Sequence, residues 1–83
     1  MDKIKITVDL SYIYYEGRYI TKKTELQIPR LSKPEHLIIE LKKLFPKLHF
    51  DQIIILINNK IIFKNITLQD EDKITLLPQL TGG

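Results

Sequence analysis

The chain has 83 residues, 43% of them hydrophobic and 28% charged, with a formal net charge of +3, the makeup of one small globular domain and not of a disordered segment. It has no cysteine, which excludes disulfides, thiolate metal sites and a cysteine nucleophile. Its 13 Lys and Arg against 10 Asp and Glu are scattered and form no basic block, so charge alone does not argue for a nucleic-acid partner.

The N-terminus interleaves charged and apolar residues and lacks the apolar core of a signal peptide. No apolar run approaches the roughly 20 residues that span a bilayer. The expectation is a cytoplasmic protein with no membrane partner. Ile4, Ile6, Val8 and Leu10 alternate with Lys3, Lys5, Thr7 and Asp9, the period of a strand with one face on a core. Gly17, the only internal glycine, reads as the turn of a hairpin, and a second strand runs from Tyr19 to Ile28.

Ser32-Lys33-Pro34-Glu35 has the form of a capping box, with Ser32 as N-cap and Glu35 reaching back. A helix then carries Leu37, Ile38, Leu41, Leu44 and Phe45 as an apolar stripe, has Lys42 and Lys43 in its last turn and stops at Pro46. Ile53 to Ile57 is too short an apolar run for a helix and reads as a central strand. Asn58-Asn59 supplies a tight turn, Ile61 to Phe63 a short strand, Asn65 to Gln69 an irregular crossing, and Asp70-Glu71-Asp72 a polar turn before a last strand from Lys73 to Leu77. Pro78 ends that strand, and residues 79–83 are expected to project as a mobile tail from a domain of residues 1–78.

One amphipathic helix among five strands must bury its stripe on one face of a mixed sheet. With the first and last strands side by side in the centre, the arrangement is an α+β fold of the β-grasp type.

No set of side chains forms a self-contained active site. His36 and His49 have no second ligand at metal spacing, and Asp70, Glu71 and Asp72 lack the glycine and bidentate glutamate of a calcium loop. No metal and no bound cofactor are expected. All four tyrosines, Tyr12, Tyr14, Tyr15 and Tyr19, fall around the hairpin tip. They fit cross-strand packing, a partner-binding patch, or, with Arg18 and Lys22, a platform for nucleic-acid bases.

Only three glycines occur in the chain, and two of them are Gly82 and Gly83. Without Cβ atoms such an end threads a narrow channel and presents an unhindered carboxylate. A carboxylate becomes reactive once adenylated by ATP. It can then accept sulfide, giving a thiocarboxylate, or a lysine amine, giving an isopeptide bond.

Asn58, the run Thr67-Leu68-Gln69-Asp70-Glu71-Asp72-Lys73-Ile74 and the run Leu76-Leu77-Pro78-Gln79-Leu80-Thr81-Gly82-Gly83 resemble the ubiquitin-like sulfur carriers, most closely the small subunit of molybdopterin synthase. Leu37, Leu41, Phe45 and Pro46 fit the same pattern. The resemblance implies a carrier that is not itself a catalyst, whose Gly83 is adenylated by a ubiquitin-activating-type adenylyltransferase using ATP and converted to a thiocarboxylate. Gly82 and Gly83 would take the reactive part, and Leu77, Pro78, Gln79, Leu80 and Thr81 would thread into a partner, the large synthase subunit or another sulfur-accepting enzyme. Glu71 stands where the family usually has glycine, implying a different turn, and Gln79 stands where it often has a second proline. Thiamine synthesis, tRNA thiolation and conjugation to lysines remain alternative fates of the same tail, and a plain binding module using Tyr12, Tyr14 and Tyr15 is the reading from another class.

Overall fold

The computed structural model describes residues 2–61 and 66–79. In chain order it contains β1 (Lys3–Tyr15), β2 (Arg18–Pro29), helix α1 (Pro34–Leu44), a single 3-10 turn (Phe50–Gln52), β3 (Ile53–Ile57), β4 (Lys60–Ile61) and β5 (Lys73–Pro78). The strands form one sheet in the order β2-β1-β5-β3-β4. β1 and β5 run parallel in its middle, from Thr7 opposite Lys73 to Leu10 opposite Leu76, and the other pairs are antiparallel. This is the β-grasp arrangement expected from the pattern, a mixed five-stranded sheet with one helix.

Ile4, Ile6, Val8 and Leu10 of β1, Ile28 of β2 and Ile74 and Leu76 of β5 are all buried on one face of the sheet, together with Leu37, Leu41 and Phe45 from α1 and its end. That shared burial is what seats the helix. The stripe is narrower than expected: Ile38 is half-buried and Leu44 is exposed. On a helical wheel Leu44 lies about 60° from Leu41, at the margin of the buried face.

The helix start also differs from the expected box. The N-cap is Lys33, whose N–H donates to Nδ1 of His36 at 2.9 Å while its carbonyl accepts from the amides of His36 and Leu37. Ser32 is instead buried in the turn, its hydroxyl donating to the carbonyl of Pro29 at 2.6 Å. The bond to Pro29 turns the Ser32 hydroxyl back toward the end of β2, and its oxygen does not accept from a helix amide as an N-cap oxygen would.

Both tight turns use two residues in the left-handed region. Glu16 (φ 48°) and Gly17 (φ 88°) join β1 to β2, and Asn58 (φ 51°) and Asn59 (φ 68°) join β3 to β4. Of the short strand expected over 61–63, the structure shows Lys60–Ile61, and residues 62–65 lie outside the described residues.

The acidic turn is an internal clamp. Asp70 accepts from the Lys5 amide at 2.7 Å, and Asp72 accepts from the Gln69 amide at 2.8 Å and the Asn58 side chain at 2.9 Å. Asn58 in turn accepts from the Lys73 amide at 3.0 Å. Glu71 holds φ 70°, so the turn keeps the left-handed conformation that glycine adopts at least cost, contrary to the different geometry that its side chain suggested.

Candidate functional site

The site is built by a slip in β1. Leu10 pairs with Lys22 and Ile13 with Ile20, so Ser11 and Tyr12 together face the single residue Thr21. This is a β-bulge, with Tyr12 at φ 56° and its amide donating to Oγ1 of Thr21 at 3.2 Å. Core positions are even-numbered up to Leu10, but Ile13 is buried and Tyr15 half-buried beyond it. The bulge absorbs the change of parity.

It also turns the hairpin away from β5. The β1–β5 ladder stops at Leu10 and Leu76, whereas β3 and β5 stay paired to Ile53 and Pro78. The gap between the hairpin and the end of β5 is a groove of about 620 Å³ lined by Ile13, Tyr14, Tyr19, Ile53, Pro78 and Gln79 with the polar residues His49, Asp51 and Gln52 beside them.

Leu77 and Pro78 lie in the sheet as the last two residues of β5, half-buried. Gln79 is still held, its amide donating to the Gln52 carbonyl at 2.9 Å. Leu80, Thr81, Gly82 and Gly83 lie outside the described residues. The last described residue before the terminal glycines thus lies on the wall of the groove.

The tyrosines divide between the two faces. Tyr12, Tyr14 and Tyr19 are 67, 53 and 61% exposed, on the face away from the helix. Tyr19 stacks on Tyr12 with ring centroids 5.2 Å apart and meets Tyr14 edge-on at the same distance. Tyr15 points to the core side and packs edge-on against Phe45 at 5.7 Å, so it does not join the exposed cluster. Lys22, with its Nζ 5.7 Å from the centre of the Phe45 ring, lies on that same side. Arg18 sits at the hairpin tip opposite Tyr15. The basic residues that might have flanked a base-stacking platform are thereby drawn away from Tyr12 and Tyr14.

His49 and Asp51 enter the groove because the turn before β3 carries them to the level of Pro78. Nothing local in the sequence marks them; the pairing of Ile53 with Pro78 is what brings them there. No hydrogen bond joins the two, and among the described residues Asp51 forms no ion pair. Among the described residues no three His, Asp or Glu side chains group as a metal would require, and no helix is long and apolar enough to cross a membrane. The groove is suited to recognition at the root of the tail.

A family model described as the ThiS family matches residues 13–83, from the bulge of β1 through Gly83. No curated protein matches the chain. With that match over most of its length, laid on a β-grasp sheet whose last strand leads into Gly82 and Gly83, the chain belongs to the ThiS family of ubiquitin-like sulfur carriers.

Proposed function

We propose that the protein carries sulfur as a thiocarboxylate on Gly83 and that it serves as the small subunit of a molybdopterin synthase. A carboxylate oxygen of Gly83 attacks the α-phosphorus of ATP in the partner adenylyltransferase, forming an acyl adenylate and releasing pyrophosphate. Hydrosulfide from a sulfur donor then adds to the carbonyl, and AMP leaves with its electron pair. The resulting thiocarboxylate sulfur attacks an electrophilic carbon of the precursor held by the large subunit, displacing an oxygen leaving group to give a thioester, and water then cleaves the acyl carbon–sulfur bond, restoring the Gly83 carboxylate and leaving the sulfur on the product as a thiol. In this reading the nucleophile that the chain supplies is its own C-terminus, first the Gly83 carboxylate and then the thiocarboxylate sulfur, and the acids and bases come from the partners. Activation by an ATP-using enzyme is compatible with a carrier that works in the cytoplasm.

The observation that carries this reading is the family match running through Gly83, on a fold whose strand β5 ends at Pro78, before the glycines in the sequence. The resemblance of residues 67–83 to the molybdopterin branch supports the choice of pathway.

The test is intact-mass measurement after incubation with the source organism's adenylyltransferase, ATP and a sulfur donor. The expected result is a gain equal to the replacement of one oxygen by sulfur, lost on deletion of Gly83. No gain with an enzyme that hydrolyses ATP in the presence of the chain overturns the reading. Adding the large subunit and the pterin precursor then separates this pathway from thiamine synthesis and tRNA thiolation, because sulfur leaves the carrier only in the matching pair.

A further inference from the structure

We propose that the groove between the hairpin and the end of β5 is the docking site for an arginine-bearing loop of the adenylyltransferase that activates Gly83. The proposal rests on the carrier reading above. Gln79, the last described residue, is held by Gln52, and Gly83 lies four residues beyond it in the sequence. Fully extended, that length spans at most about 14 Å. An enzyme that closes over the Gly83 carboxylate must therefore bring its own surface against the residues around Gln79, and the concave feature there is this groove of about 620 Å³.

Its chemistry selects the side chain that enters. The exposed rings of Tyr14 and Tyr19 form one wall, and Ile13, Ile53 and Pro78 are apolar lining. Asp51 supplies the one formal negative charge among the lining residues, and no described cation pairs with it. A guanidinium meets both demands at once, stacking on an aromatic face and pairing in its own plane with a carboxylate. An ammonium pairs but does not stack by a planar face. Among enzymes that handle the tail, the adenylyltransferase is the occupant because every fate of the carboxylate passes through activation.

The experiment is ATP–pyrophosphate exchange by the source organism's adenylyltransferase, measured against concentration of the full chain. Wild type is compared with Tyr14→Ala, Asp51→Asn and Asp51→Arg. These residues are exposed, so the variants keep the wild-type circular dichroism, and Tyr14→Ala, which loses its edge-on contact with Tyr19, melts only a few degrees lower. The expected result is a KM for the carrier raised about tenfold by Tyr14→Ala and by Asp51→Arg, with kcat changed by less than about twofold. Asp51→Asn has a smaller effect that shrinks further at about 0.5 M salt, where exposed charge pairing is screened. Unchanged KM in Tyr14→Ala and Asp51→Arg, with wild type fully exchanged, overturns the docking site and leaves the carrier reading intact. A KM change confined to the sulfur-accepting enzyme, or self-association of wild type abolished by the same variants, also overturns it. Absence of exchange with wild type overturns the carrier reading and this proposal with it.

Discussion

Glu71 shows how one backbone angle can be strained while every hydrogen bond around it is good. A non-glycine residue in the left-handed region costs about 1 to 2 kcal/mol, and the ion pair from Glu71 to Lys5, at 3.5 Å and exposed, returns little of it. Glu71→Gly is therefore expected to stabilise the protein by about 0.5 kcal/mol after the entropy lost by glycine. A higher urea midpoint at unchanged slope is the expected reading. The helix start gives a second test. His36→Ala removes the acceptor for the Lys33 amide and is expected to cost about 1 kcal/mol, while Glu35→Ala loses only a dipole interaction of about 0.3 kcal/mol. The pattern Ser-x-x-Glu predicts the reverse order. It misleads here because the choice between two capping registers one residue apart is decided by the Pro29 carbonyl, which captures Ser32 and belongs to the end of a strand.

Among the elements, α1 was legible in its position and in most of its stripe, and the strand order followed from the pattern of runs and turns. The margin of the stripe was not, because periodicity ranks residues by angle but does not say how far the sheet reaches around the helix. Leu41→Ala is expected to cost about 3 kcal/mol, since the side chain is fully buried, and Leu44→Ala under about 1 kcal/mol; chemical denaturation of the two variants checks this. The bulge in β1 was also hidden. Tyr12 and Tyr14 continue the even-numbered run as plausibly as Ile13 and Tyr15 begin an odd-numbered one, because tyrosine suits either face of a strand. Burial of Ile13 settles the matter in the fold, and with it the opening of the groove. The terminal glycines needed no structure to be noticed. Asp51 and the tyrosine wall did, because their nearness to Pro78 depends on a ladder register and a bulge together.

At the scale of the whole molecule, the ladder from Thr7 to Leu10 against Lys73 to Leu76 ties the two ends of the sequence into the middle of the sheet. Amides of Val8, Leu10, Ile74 and Leu76 are expected to exchange hydrogen only through global unfolding, and those of the short β4 at the sheet edge far faster, as measured by native-state exchange. The same tie has a meaning for synthesis. β5 is made last among the strands, yet β1 and β3 both pair with it and not with each other. A chain cut before Lys73 lacks the strand that joins β1 to β3 and is expected to be digested faster by protease than the full chain. The strand that leads toward the glycines is thus also the one that joins the two halves of the sheet.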